Sequence, residues 1–231
     1  MKKLLITLSQ KWPEYLIEGV VIVASILGAI ALENWNEHRK ERAKEQEYLT
    51  ELQADLITDL EDITYNLDFT IDKKKSNDKI IEFINNREEI TDSIQYHLAN
   101  LLVPVHFLSN TQAFEAIQKA GIDIIQNDSL RREMVNLYDF YEKHLQYFET
   151  NDDHKTQYDL LVPIYLRKVR VHELWQRAEP IDPEGIYSDP EFYNVLTVNR
   201  FYRSYMISQY ELTGNKIEWL LRMVESEILD Q

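Results

Sequence analysis

An all-α fold, with an N-terminal transmembrane helix running on into a long stalk helix and an antiparallel helical bundle, is predicted by three features of the sequence. Only five glycines and six prolines stand among 231 residues, too few to reverse strands every ten residues. Apolar residues recur at spacings of three and four through most of the chain, which is the period of a helix face. One segment near the start, YLIEGVVIVASILGAIALENW, is apolar almost all round, a pattern that suits lipid.

Residues 1–14 read as a short tail, 15–33 as the membrane helix and 34–231 as an acidic helical domain. From Gly19 to Leu32 fourteen residues pass without a charge. Trp12 and Trp35 frame the segment, about 34 Å apart along a helix, near the hydrocarbon thickness plus interface. Trp12, Tyr15 and Trp35 therefore read as an aromatic belt. Glu18 lies a turn inside the boundary, where a carboxyl reaches the interface or takes up a proton. A cleaved signal peptide fits less well. Ala29-Ile30-Ala31 matches a small-x-small site, but Trp12, Pro13 and Glu14 lengthen the region before it and the helical pattern continues unbroken. A buried core helix fits least. Ala24 with Gly28, and Ser25 with Ala29, sit four apart, a spacing that lets two helix backbones approach in lipid. Three lysines before the segment stand against four basic residues after it, so the charge balance favours neither orientation.

Past the segment, residues 34–73 read as the stalk helix, with Leu49, Leu52, Leu56, Leu60, Ile63 and Leu67 as its apolar stripe. Lys73-Lys74-Lys75-Ser76-Asn77 reads as a polar break before the remaining bundle, residues 78–231. A second helix is expected from Ile80 to Leu102, stopped by Pro104, and a short one from Asn110 to Lys119, closed by Gly121. Ile122 to Ile125 reads as an extended link, and Asp128 as the cap of a helix reaching Phe148. Asn151-Asp152-Asp153 breaks the pattern before a helix holding Leu160, Ile164, Val169 and Leu174. Residues 179–190, with three prolines, form the one long loop. Asp189-Pro190 then starts a helix whose inner face is Phe192, Val195, Tyr202, Tyr205 and Leu212. Gly214 divides it from a last amphipathic helix.

The net charge is −15. Residues 1–44 carry +2, so the other 187 carry −17. Such a domain repels phosphate backbones, and no nucleic acid is expected as partner. The absence of cysteine excludes disulfides, thiolate metal sites and cysteine nucleophiles. The six histidines match no metal-ligand spacing, and no phosphate-binding loop or serine nucleophile elbow is present. Asp152-Asp153-His154 reads as a solvated turn. The pairs Asp55 with Asp59 and Glu225 with Glu227 read as solvated helix faces, and Arg167-Lys168-Val169-Arg170 as a helix end complementing its dipole.

Two stretches carry a resemblance. EGVVIVASILGAIALENWNEHRKERAKEQEYLTELQADL resembles the opening of an uncharacterised family of single-span proteins in Gram-negative bacteria, in which a glutamate and an apolar span lead into Asn-Trp-Asn-Glu. Here those are Glu18, Asn34, Trp35, Asn36 and Glu37. NTQAFEAIQKAGIDIIQNDSLRREMVNLYDFY is similar to its second signature, through Phe114, Glu115, Gly121, Ile125, Asn127, Leu130 and Arg131. The resemblance implies a retained span in the bacterial inner membrane and supplies no activity. The expected function is a membrane-anchored helical interaction or scaffolding protein, self-associating, with the bilayer and another protein as partners. It is expected to be no enzyme and to need no cofactor. A sensory or gating subunit of an oligomeric membrane complex is the alternative, and a metal-dependent hydrolase comes last.

Overall fold

The computed structural model describes the backbone of residues 2–102 and 105–229, with side chains from Leu16 onward. The side chains of Trp12 and Tyr15, expected at the interface, and the helix stop expected at Pro104 lie outside what is described. The fold is all-α apart from one short strand pair. It divides into two compact units, Met1–Glu47 and Tyr48–Asp230.

Helix α1 (Lys2–Asn86) passes straight through the expected polar break. Nothing in Lys73 to Asn77 prevents a helix, because the run holds no Gly or Pro. Its polar side chains also have partners: Lys73 donates to Asn100 Oδ1, and Lys74 pairs with Asp78 at 2.7 Å. Asn77, fully buried, donates to the Leu196 carbonyl at 2.9 Å. The helix ends instead at Asn86, where Arg87 turns left-handed at φ 52° and the Glu88 amide reaches back to the Phe83 carbonyl, a C-terminal cap of the Schellman kind.

After α1 come α2 (Asp92–Ala99), capped by the Thr91 hydroxyl, and α3 (Gln112–Ala120). Gly121 closes α3 at φ 100°, a conformation only glycine adopts freely. Ile122–Ile124 form a 3₁₀ turn in place of the extended link. The Asn127 side chain, not Asp128, caps the next helix, accepting from the Ser129 and Leu130 amides.

The chain then stays helical from Asp128 to Lys168, through the expected break at Asn151 to Asp153. This arm comprises α4 (Asp128–Asn136), α5 (Lys143–Phe148) and α6 (Val162–Lys168), joined by π-helical stretches at Leu137–Glu142, Glu149–Asp153 and Thr156–Leu161. The reason is legible in its buried residues. Leu145, Glu149, Asp153, Gln157, Leu161 and Tyr165 are all buried, and they follow one another at a strict spacing of four. In a regular α-helix such a stripe rotates by about 40° per step and leaves the core. The wider π turns absorb the excess and keep it facing inward.

Helix α6 stops at Lys168, so Val169 and Leu174 are not helical as expected. Strands β1 (Val169–Glu173) and β2 (Arg177–Pro180) form an antiparallel hairpin, Val169 opposite Pro180. Alternating β-branched residues at Val169 and Val171 favour the strand. Its turn places Trp175 at φ 63°, with the Trp175 carbonyl held by Asn100 Nδ2 at 2.8 Å. Part of the expected long loop is therefore β2 and a 3₁₀ turn, Gly185–Ser188.

Helix α7 (Pro190–Leu229) begins where expected, with Asp189 Oδ1 accepting from the Phe192 amide at 3.0 Å. It does not break at Gly214, whose absent side chain faces only Ile63 at ordinary contact distance. Its buried face is Phe192, Val195, Asn199, Arg203, Met206, Tyr210, Thr213 and Ile217. Tyr202, Tyr205 and Leu212 lie off that seam.

Within Tyr48–Asp230 two apolar cores form. One gathers Leu49 to Ile63 of α1, Leu130 to Leu145 of the arm and Met206 to Val224 of α7. The other gathers Ile80 to Ile84, Leu161 to Val169 and Phe192 to Leu196. The arm therefore runs in the direction of α1, and α7 runs against both.

Candidate functional site: a buried carboxylate ladder

Between the two apolar cores each long helix contributes polar side chains to the interior. These are Asn66, Thr70 and Asn77 of α1, Glu149, Asp153 and Gln157 of the arm, and Asn199 and Arg203 of α7. Gln157 donates to Asn199 at 2.7 Å, and Asn199 to Asn77 at 2.9 Å. Arg203 is 2% exposed and pairs with Asp153, itself 5% exposed. Burial pulls the Arg203 guanidinium down to about 10. The acid and its partner come from different helices, so the pair also fixes the register of the arm against α7.

The most unusual arrangement lies beside this belt. The non-helical segment Phe107 to Asn110 has no strand to pair with, so its amides need other acceptors. Carboxylates supply them. Asp62 Oδ2 accepts from the Leu108 amide at 3.0 Å, Asp59 Oδ1 from the Asn110 amide at 2.8 Å, and Asp55 Oδ2 from the Ala113 amide at 2.9 Å. These three aspartates lie four and three apart on one face of α1. Asn66 continues the row and donates to the His106 carbonyl at 3.2 Å. From the opposite side Glu149 Oε1 accepts from the Phe107 amide at 3.0 Å and the Tyr210 hydroxyl at 2.6 Å, while Glu142 accepts from the Ser109 hydroxyl.

Three of these acids leave water almost completely: Asp59, Glu142 and Glu149 are 0%, 2% and 3% exposed. Burial pushes Asp59 up to about 6, against the two hydrogen bonds from Asn110 and with the charges of Asp55 and Asp62. Burial pushes Glu142 up to about 8, against the Ser109 bond and aided by Asp59. Burial pushes Glu149 up to about 7, against its bonds from Tyr210 and Phe107. Tyr138, stacked on Phe114 at 4.4 Å, is held protonated by burial and by Glu142.

The ladder borders a cleft of about 510 Å³ lined by His106, Ser109, Gln146, Glu149, Thr150 and His154, among others. The two imidazole rings lie 6.0 Å apart, and His106 Nδ1 is 4.0 Å from Glu149 Oε2. Burial, and then the neighbouring His154, lower His106. Among the described residues no three His, Asp or Glu side chains are arranged to hold a metal ion.

The reading of Asp55 and Asp59 as a solvated face is thus corrected. Asp59 sits in the helix seam and Asp55 binds backbone. Asp153 likewise belongs to the interior and to no turn. For Asp59 the signal is positional: Leu49, Leu52, Leu56, Asp59, Ile63, Asn66 and Thr70 keep an unbroken three-four spacing, in which Asp59 and Asn66 fill seam positions.

The family whose model matches the chain over residues 18–159 is described as a family of unknown function, DUF6090. The chain belongs to the DUF6090 family. No curated protein and no solved structure matches it. The matched region takes in every ladder acid, with Ser109 and Asn110, and leaves out Tyr210 and Arg203.

The residues of the second expected signature have structural work in this family member. Phe114, Ile125 and Leu130 are buried, and Asn127 caps α4 while donating to Glu227 at 2.7 Å. Arg131 donates to the Ile125 carbonyl and to Asp128. Glu115, on the surface, takes bonds from Thr111 and Lys119. In the first unit, Glu18, Ala24, Ser25, Gly28, Ala29, Asn34, Trp35 and Glu37 are all exposed, and Asn36 is half-buried. Ser25 donates to the Val21 carbonyl at 2.7 Å, and the Arg39 guanidinium lies over the Trp35 ring at 5.6 Å. This part of α1 is long and apolar enough to cross a membrane.

Proposed function

We propose that the chain is a single-pass membrane protein whose helical unit serves as an interaction module, self-associated through its apolar helix. The observation that carries this reading is the stretch from Leu16 to Trp35, in which every residue is exposed and ten large aliphatic side chains are each about half or more open. Twenty helical residues span about 30 Å, the hydrocarbon core of a bilayer. The bilayer is accordingly its first partner, and the inner membrane of a Gram-negative bacterium the proposed location. Open space around Gly28, where a side chain would meet no atom within 4 Å, leaves room for a second copy on the Ala24, Ser25, Gly28 and Ala29 face. The exposed aromatics Phe140, Tyr147 and Phe201 of the second unit are residue types that anchor protein interfaces. No catalytic role, cofactor or nucleic acid enters this reading.

The reading is checked by crosslinking the full chain in membranes. A dimer or higher species is expected, and Gly28→Leu should reduce it several-fold without reducing membrane insertion. A wild-type chain that stays strictly monomeric sinks self-association. A sensory or gating subunit is the second reading, and the buried carboxylate ladder favours it, since groups that titrate between pH 6 and 8 give such a subunit an input.

A further inference from the structure

Ser109 and Asn110 are adjacent in the chain, yet each grips an acid from a different helix. Ser109 donates to Glu142 of the arm, and Asn110 donates twice to Asp59 of α1. Two carboxyls far apart in the sequence are so brought to one spot inside the bundle, both shut off from water. Three polar atoms there have no partner: Asp59 Oδ2, Glu142 Oε1 and the Tyr138 hydroxyl, whose residue is 3% exposed. Asp55 and Asp62 face the spot from α1 and Tyr138 from the arm; Glu149, with His106 and the Tyr210 hydroxyl beside it, lies one step along the ladder, coupled to Asp62. Among the described residues no lysine or arginine pairs with Asp59, Glu142 or Glu149, and Arg203 is taken up by Asp153. Two ionised carboxylates would leave two unsatisfied acceptors in a space with a single spare hydroxyl donor.

We propose that Asp59 and Glu142 form a proton-binding site that latches the Phe107 to Asn110 segment to the bundle. One proton on either carboxyl supplies the missing donor and removes one of two repelling charges. When that proton leaves to solvent, both carboxylates are charged and the segment that holds them side by side is pushed away. The latch is thus closed in mildly acidic or neutral surroundings and opens in alkaline ones. It gives the sensory reading its input, while the test reads the latch itself and stands whether or not that reading holds.

The test is amide hydrogen exchange of the full chain in lipid nanodiscs at pH 6 and pH 9, corrected for the intrinsic pH dependence of exchange. Protection of the Leu108 and Asn110 amides in the wild type is expected to fall at least about tenfold between the two, the equivalent of one pK unit of coupling. Glu142→Gln keeps an acceptor for Ser109 and is neutral at every pH, so its protection should stay at the low-pH level throughout. Asp59→Asn should behave alike. Equal wild-type protection at the two pH values overturns the proposal, as does a Glu142→Gln profile that follows the wild type. Should both variants fail to fold, the wild type decides alone: the infrared carbonyl band of a buried protonated carboxyl at pH 7 supports the site, and its absence refutes it.

Discussion

Replacing Asp153 by alanine is expected to lower the stability of the helical unit by about 3–5 kcal/mol, the range for breaking a buried pair from one side. Arg203 is 2% exposed and keeps its place inside the bundle, and even with its pKa drawn down to about 10 it stays charged at neutral pH. Without Asp153 that charge has no counter-ion, and water cannot reach it. The loss follows from the orphaned charge and not from the worth of the pair, because bringing two ions out of water costs about as much as their attraction returns. The double variant Asp153→Leu with Arg203→Met should therefore recover most of the loss. Denaturant midpoints of the wild type and these variants check this. A double variant as unstable as the single one would contradict it.

The second large effect is a fall in stability as pH rises. Asp59, Glu142 and Glu149 all have folded-state pKa values above their ordinary ones, reaching about 6, 8 and 7. A carboxyl of that kind holds its proton in the folded chain at pH values where the unfolded chain has already released it. Its contribution is full below the unfolded value near pH 4 and is lost as pH climbs through the folded value. The window thus runs from about pH 4 to about pH 8, with a total loss on the order of 3–5 kcal/mol once the acids titrate as a coupled set. Asp189 acts in the other direction. Burial works to raise it, but its bonds from Lys168 and the Phe192 amide hold it below the ordinary range, so it weakens the fold only in strong acid. Maximum stability is therefore expected near pH 4. Thermal unfolding across the range checks the sign, and a chain more stable at pH 8 than at pH 5 would show that the ladder acids are ionised in the fold.

The contrast between what the sequence revealed and what it hid has one physical cause. Positions whose chemistry matches their surroundings were legible: the leucines at 49, 52 and 56, the Asp189-Pro190 helix start, the left-handed turn at Gly121 and the exposed apolar stretch before Trp35. Where polar residues fill core positions the reading failed. Asp59, Glu142, Glu149, Asp153, Asn199 and Arg203 look like surface residues one at a time, and only their partners, as many as 122 positions away in the Asn77–Asn199 bond, make burial tolerable. Asn151 to Asp153 reads as a break only where polarity means exposure, and Asp153 is polar and buried. The spacing of four from Leu145 to Tyr165 was present in the sequence, but it points inward only if the helix widens, and the π turns that widen it are stabilised by tertiary packing. The hairpin at Val169–Glu173 was hidden for a similar reason. A five-residue strand between two helices carries little periodicity, and Asn100 on a distant loop holds its turn.

The central claim, proposed above, is that Leu16 to Trp35 lie in a bilayer, and the absence of cysteine makes it directly measurable. The single substitutions Val23→Cys, in the apolar stretch, and Trp219→Cys, at an exposed position of the helical unit, each introduce one thiol that a membrane-permeant maleimide can probe in native membranes. In lipid a thiol stays protonated and unreactive. The account predicts that the Val23→Cys chain is labelled only after detergent and denaturant are added, while the Trp219→Cys chain is labelled at once. Equal labelling of both in intact membranes, or recovery of the chain in the soluble fraction, would contradict it.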